Sequence, residues 1–125
     1  MKLSSRQAIF ASNVSKLIQY ARSQGYEVTF GEAYRPSFFQ KFYINLGLSF
    51  TKNSQHSKRL AIDLNLFKDG KYLTMTKSHK VLGRYWEKLN SFNVWGGRFR
   101  DGNHYEMRHD YPRRELRNKR YDFDL

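Results

Sequence analysis

Ser54-Gln55-His56-Ser57-Lys58-Arg59-Leu60-Ala61-Ile62-Asp63-Leu64-Asn65-Leu66-Phe67 is the stretch whose reading decides the fold. Its second half alternates strictly: Leu60, Ile62, Leu64 and Leu66 fall on one side of a strand, and Ala61, Asp63 and Asn65 on the other. A carboxylate in so apolar a strand has to be paired or bound to a metal, because desolvating it alone is costly. His56 stands seven positions earlier, an odd separation that would put it on the opposite face of a straight strand. It can join Asp63 only if the chain bends between them, and the polar run Ser57-Lys58-Arg59 is the place for that bend. A histidine on a loop and an aspartate on the adjoining strand can then converge on one cation. A single His and Asp at this spacing is a weak signal by itself.

Working outward towards the N-terminus, Ser4-Ser5-Arg6-Gln7 reads as a capping box, with Ser4 as the cap and Gln7 reaching back. Phe10, Val14, Leu17, Ile18 and Ala21 follow at helical spacing, and Gly25 supplies a stop. Tyr26 to Phe30 alternates and is β-rich, so a strand is expected there. Pro36 forces Arg35 into an extended conformation and places its guanidinium at the strand's exit. Ser37 can cap a short helix from Phe38 to about Asn45, with Gln40 on it and Gly47 closing it. Leu48 to Asn53 reads as a loop leading into the His56 stretch.

Towards the C-terminus, Asp69-Gly70 signals a hairpin, followed by a brief strand at Tyr72-Leu73. Val81, Leu82, Tyr85, Trp86 and Leu89 mark a second amphipathic helix from about Ser78 to Asn90. Ser91 to Asp101 reads as a Gly-containing loop, and His104 to Met107 as a strand. His79 and His109 are expected as solvated surface groups, Tyr85 and Trp86 as helix core, and Trp95 as either core or substrate platform. The arginine-rich tail (Arg113, Arg114, Arg117, Lys119, Arg120) has no apolar periodicity. The expected architecture is an α+β domain spanning 1–125, a small antiparallel sheet flanked by helices.

Composition narrows the chemistry. The 125 residues include ten Phe, nine Tyr and two Trp with only two Pro, which is a globular balance. A chain of this length buries about 65–70% of its unfolded surface. There is no cysteine, so a disulfide scaffold and a thiolate zinc site are both excluded. Any transition metal must therefore use His, Asp or Glu. The formal charge of +12 favours a polyanionic partner, either nucleic acid or an anionic cell wall. Neither a signal peptide nor an apolar run of about 18 residues is visible, so synthesis in a cytoplasm is expected, without a membrane span.

A second acidic-histidine pair lies downstream at Asp101-Gly102-Asn103-His104, introduced by Trp95-Gly96-Gly97. Spacing alone does not distinguish Asp101…His104 from Glu106…His109, since each is an acid three residues before a histidine. In combination, however, the motifs resemble the zinc peptidases that include D-Ala-D-Ala carboxypeptidases, vancomycin-resistance D,D-dipeptidases and phage L-alanyl-D-glutamate endolysins. Ser54, His56, Ala61 and Asp63 match the first motif of that family. Asp101, His104, Tyr105 and Glu106 behind Trp95-Gly96-Gly97 match the second, and Tyr34-Arg35-Pro36 with Gln40 matches a third.

The resemblance implies a hedgehog/D-Ala-D-Ala peptidase-like fold with Zn2+ on His56, Asp63 and His104. It makes Asp101 the general base and acid, and Arg35 the cation that steadies the oxyanion of the tetrahedral intermediate. Ser54, Gln40 and Glu106 would lie at the substrate, although Glu106, two residues from His104 and on the same strand face, could equally orient a ligand or offset nearby arginines. Where many members carry Gly three residues after the first His, this chain has Arg59, which implies a different turn or an extra cationic group near the pocket. The expected activity is that of a monomeric endolysin cutting the stem peptide of bacterial peptidoglycan, at L-alanyl-D-glutamate, after release from the host cytoplasm by lysis. Its charge would favour anionic wall polymers. Cleavage of D-Ala-D-Ala is the alternative within the family. A basic nucleic-acid-binding module is the alternative outside it, and would leave both His/Asp pairs as coincidence.

Overall fold

A computed structural model describes residues 1–47, 54–109 and 112–113, with the side chains of Ser37, Gln40, Phe42 and Tyr43 excepted. The expected loop from Leu48 to Asn53 and nearly all of the arginine-rich tail lie outside the described residues. In chain order the elements are α1 (Leu3–Ser23), β1 (Glu27–Phe30), α2 (Ser37–Asn45), β2 (Ala61–Lys68), β3 (Lys71–Leu73), α3 (Lys80–Leu89), β4 (Asn93–Trp95) and β5 (His104–Met107). Short 3-10 turns occupy His56–Lys58, Thr76–His79 and Gly96–Phe99.

β2 organises the sheet. It pairs antiparallel with β1, with β3 and with β5, and β5 in turn pairs antiparallel with β4. The alternation in its sequence is realised: Leu60, Ile62, Leu64 and Leu66 are buried, while Asp63 and Asn65 on the other side are only half-buried. The buried row meets Phe10, Leu17 and Ala21 of α1 and Leu82 and Trp86 of α3 in one core. Each such leucine contributes about 1.5–3 kcal/mol on leaving water, which fixes the register that puts Asp63 on the open face. Phe10 meets Trp86 edge-on at 5.7 Å, and Tyr20 stacks on Tyr85 at 4.0 Å. The Trp86 indole also donates to the Glu106 carbonyl at 2.9 Å, tying α3 to β5.

The hairpin between β2 and β3 turns at Asp69 (φ 52°) and Gly70 (φ 77°), both in the left-handed region that a two-residue hairpin loop requires. Gly25 (φ 87°) ends α1 in the same way. The N-terminus of that helix differs from expectation. Lys2, not Ser4, is the cap residue, and no side chain caps it. Gln7 does not reach back but donates to the Lys58 carbonyl at 2.8 Å, so the tertiary contact displaces the local capping box.

Three further readings are corrected. The segment after α3 is not all loop, because Asn93–Trp95 forms β4 against β5. Asn93 is fully buried, its amide donating to Asn13 Oδ1 and to the Trp86 carbonyl, both at 2.9 Å. His79 is not a surface group: it is 2% exposed, and its Nδ1 lies 2.7 Å from the Tyr105 hydroxyl. Val81, expected in the core, is exposed. Leu82 and Trp86 of the same expected stripe are fully buried, with Tyr85 and Leu89 packed against the core, so the helix faces inward as expected and Val81 lies outside its buried stripe.

Candidate metal centre and active site

The bend required by His56 and Asp63 is present. After the 3-10 turn at His56–Lys58 the chain passes through Arg59 at φ 56°, a left-handed conformation. Arg59 therefore makes the turn that glycine would make, and the expectation of a different turn is not met. Its guanidinium lies over the Tyr34 ring, 4.0 Å from the centroid, a contact that offsets part of the strain of a side chain in that region. The turn carries His56 back to the strand that bears Asp63.

β5 supplies the third group. Asp63 and His104 are direct cross-strand partners, so their side chains share the open face. Asp63 Oδ1 is 3.1 Å from His104 Nδ1 and 3.3 Å from His56 Nε2. One ligand atom from each of His56, Asp63 and His104 lies within 4.8 Å of the others. Two imidazoles and a carboxylate are the donor set of a divalent transition metal with a position left open. His109, the rival histidine, is half-buried and is not among these three.

Each imidazole is oriented by its other nitrogen. His56 Nδ1 is 3.1 Å from the Ala33 carbonyl, and His104 Nε2 is 2.7 Å from Glu106 Oε1. Such partners set the tautomer and turn the free nitrogen towards the cation. Ser54 and Glu106, expected at the substrate, are both buried and both serve the histidines. Ser54 Oγ accepts from the His56 backbone N–H at 3.2 Å, and Glu106 takes the His104 ring as described. Gln40 lies on α2, and its side chain is outside the described set.

Charge is concentrated at this cluster. Burial alone would raise the Asp63 carboxyl, but its hydrogen bonds to His104 and His56 hold it well below the usual range. Burial alone would lower His104, yet Asp63 and Glu106 outweigh it and push the imidazole up to about 10. Both shifts describe a preformed anionic nest that holds a proton until a metal displaces it.

Asp101 stands apart from this nest. Its Oδ2 is 4.0 Å from His104 Nδ1, and its side chain is 58% exposed. The protein mass behind it pushes its carboxyl above the ordinary range, an effect that solvent at its outer edge partly screens. The loop that carries it is pinned by Asp101 N–H to the Gly96 carbonyl (2.9 Å) and His104 N–H to the Asp101 carbonyl (3.1 Å). Gly96 has no alternative here: a Cβ would stand 2.1 Å from the Asp101 carbonyl oxygen. Gly97 similarly lies against the Trp95 ring, where a Cβ would come within 2.4 Å. The Trp-Gly-Gly run is thus the bed on which Asp101 and His104 are laid. Trp95 is core, with its indole donating to the Gly102 carbonyl at 2.7 Å.

Arg35 and a residue that sequence reasoning missed complete the surroundings. The Arg35 guanidinium is paired to Glu32 Oε1 through Nε at 2.9 Å and also through Nη2. Glu32 Oε1 is in turn 3.9 Å from His56 Nε2. The Glu32 carbonyl accepts from the Asp63 N–H at 2.8 Å, and the Arg35 N–H donates to the His56 carbonyl at 3.2 Å. Glu32 and Arg35 lie on the irregular segment between β1 and α2, where no helical or strand period announces the pair.

Comparisons with known proteins agree with the fold and the motifs. Residues 49–107, the stretch that contains His56, Asp63, Asp101 and His104, match a peptidase family model described as D-alanyl-D-alanine carboxypeptidase. The resemblance read from the motifs, to the zinc peptidases that include the D-Ala-D-Ala carboxypeptidases, is therefore borne out. Among solved structures the chain is similar to the L-Ala D-Glu endopeptidase ChiX of Serratia marcescens. The TM-score is 0.62 at 18% identity, covering 84% of this chain and 82% of that one. That likeness gives the fold, a small α+β domain of the peptidase type. No curated protein matches the sequence. Among the described residues no helix is long and apolar enough to cross a membrane.

Proposed function

We propose that this protein is a zinc-dependent peptidoglycan peptidase of the phage-endolysin type, hydrolysing the L-alanyl-D-glutamate bond of the stem peptide. The observation that carries the reading is the convergence of His56, Asp63 and His104 within 4.8 Å, with the Asp101 carboxyl beside them. A zinc ion held by those three would supply Lewis acidity towards water and the scissile carbonyl. Ala33 and Glu106 keep the two imidazoles turned to that position.

Asp101 takes the proton of the attacking water and hands it to the leaving amine. Its carboxyl, 4.0 Å from His104 Nδ1 at the open edge of the cluster, is placed to carry that proton between the two transfers. Arg35 stabilises the oxyanion, with Glu32 fixing the guanidinium plane. The +12 charge draws the protein to anionic wall polymers, and release by lysis takes it there from the host cytoplasm as a monomer. The description of the matching family model favours one second reading, D-Ala-D-Ala carboxypeptidase activity at the same site.

The test is mass-spectrometric analysis of defined muropeptides after incubation with zinc-loaded and chelator-stripped protein. Zinc-dependent release at L-alanyl-D-glutamate is expected. Release of terminal D-alanine alone would select the second reading, and zinc-independent behaviour would remove both.

A further inference from the structure

The open face of the sheet continues beyond the metal cluster. β2 carries Asp63, Asn65 and Phe67 on that face, all half-buried, while the leucines between them are buried in the core. At about 3.4 Å per residue, Asn65 stands roughly 7 Å and Phe67 roughly 14 Å from Asp63 along the strand. The neighbouring strands widen the far end of the row. Phe67 is the direct cross-strand partner of Glu27 on β1 and of Tyr72 on β3, so all three side chains share the face that bears Asp63 and His104.

Side-chain contacts fix the directions. The Phe67 and Tyr72 rings stack with centroids 5.1 Å apart, and the Tyr72 hydroxyl reaches back towards the cluster, 3.4 Å from Asn65 Oδ1. Tyr72 is 55% exposed, so the stack is open on its outer side, and Glu27 beside it is exposed as well. Lys68, at the end of β2, faces the other way, with its ammonium 4.8 Å from the centroid of the Tyr26 ring. Among the described residues neither the Glu27 carboxylate nor Asn65 Nδ2 has a partner. None of these groups has a part in the chemistry above.

In order from the metal cluster, the face offers an amide, an aromatic surface and an anion. An amide pairs with a peptide group, an aromatic face packs on methylenes, and a carboxylate takes an ammonium. That order suits an aliphatic side chain ending in an amine, on a residue one or two positions from the bond being cut. An extended peptide covers about 7 Å in two residues, the span from Asp63 to Asn65. We propose that Asn65, Phe67, Tyr72 and Glu27 form a subsite for a diamino-acid residue of the substrate peptide. The inference rests on the proposed peptidase reading. A stem peptide presents such a residue to either candidate bond, after the D-glutamate of L-alanyl-D-glutamate or before a terminal D-Ala-D-Ala.

The test compares zinc-loaded wild type, Glu27→Gln, Glu27→Lys and Tyr72→Ala on defined stem peptides with lysine or norleucine as the third residue. Norleucine keeps the methylenes and removes the ammonium. The wild type is expected to favour lysine about two- to fivefold in kcat/KM, the size of an exposed ion pair, and to lose that preference in high salt. Glu27→Gln should abolish the preference and Glu27→Lys should invert it. Tyr72→Ala should raise KM about tenfold on both peptides, since it removes the surface beneath the methylenes. Whichever bond is cut identifies the side on which the diamino residue is held. An equal lysine-to-norleucine ratio in the wild type and Glu27→Lys would overturn the subsite.

A binding measurement separates this inference from the reading beneath it. The fragment γ-D-glutamyl-L-lysyl-D-alanine, which contains neither candidate bond, and its norleucine counterpart are titrated into the zinc-loaded proteins by NMR. Tighter binding of the lysine fragment by the wild type but not by Glu27→Lys, with no peptide cut, would retire the peptidase reading and keep the subsite. Equal binding of the two fragments by the wild type removes the subsite, whichever bond is cut.

Discussion

Glu106 Oε1 lies 2.7 Å from His104 Nε2, which leaves His104 Nδ1 to face Asp63 at 3.1 Å. A buried carboxylate at the back of a ligating imidazole fixes the ring and raises its basicity. Glu106→Gln should therefore weaken zinc binding by about 10–100-fold, the usual cost of losing such a partner. Turnover at saturating zinc should stay near that of the wild type. Competition with a chromophoric chelator reads the affinity, and unchanged affinity would mean that Glu106 serves something other than the ligand.

Asp101→Asn should behave in the opposite way. The amide is nearly isosteric and His56, Asp63 and His104 are untouched, so zinc content and fold should persist. Turnover on purified peptidoglycan should fall by about 10²–10⁴-fold, as for a lost general acid–base group. By contrast, His56→Ala, Asp63→Ala and His104→Ala should each lose both metal and activity, because three ligands leave none to spare. Normal turnover in Asp101→Asn together with collapse in Glu106→Gln would move the proton shuttle to Glu106.

Gly96→Ala tests the bed beneath the loop. Its Cβ would stand 2.1 Å from the Asp101 carbonyl oxygen and 2.7 Å from His104 Cβ, so the loop must move outwards. Such overpacking costs about 1–3 kcal/mol, and a displacement of about 1 Å at the site can cost about 10²-fold in rate. Gly70→Ala is the comparison: its φ of 77° is strained for alanine, but nothing lies within 4 Å of the new Cβ. It should lose stability in urea denaturation yet keep its turnover. Equal turnover in the two variants would show that the loop tolerates the shift.

The parts of the fold that could be read from the sequence were those in which local pattern and tertiary packing agree. β2 was legible because a period of two runs unbroken from Leu60 to Leu66, so the side bearing Asp63 had to be the open one. The hairpin at Asp69-Gly70 and the stop at Gly25 were legible because only a few residue types take positive φ cheaply. β4 was hidden because buried Asn93 breaks the apolar signal of a strand, and the partner that satisfies it, Asn13, is 80 residues away. His79 was misplaced for the same reason. A polar residue at a helix start looks solvated until Tyr105, on a distant strand, supplies its hydrogen bond. At the site the motifs brought the three clustered residues and Asp101 together. Ser54 and Glu106 each meet a histidine two residues away, Ser54 at the His56 backbone N–H and Glu106 at the His104 ring, and the residue types at that separation leave open whether they face a ligand or a substrate.

The buried His79 makes stability depend on pH, with a definite sign. Burial pushes its imidazole down from 6.5 to about 4, so the folded protein refuses a proton that the unfolded chain accepts. Above pH 6.5 both states are neutral there and the contribution to stability is complete. As the pH falls from 6.5 towards 4 the unfolded state gains protons first, and stability is lost by about 3 kcal/mol over that window. His104, whose imidazole is pushed up to about 10, works the other way: it stays charged in the folded metal-free protein, so its contribution rises as the pH falls through 6.5 and is complete below that, a change common to both proteins that cancels when they are compared. His79→Gln keeps an acceptor for the Tyr105 hydroxyl but cannot titrate. Urea denaturation of both proteins in chelator, at intervals from pH 7 to 4, should show a loss of stability in the wild type that is largely absent from His79→Gln. Parallel curves for the two proteins would mean that His79 is protonated freely in the folded state, and that the pH dependence arises elsewhere.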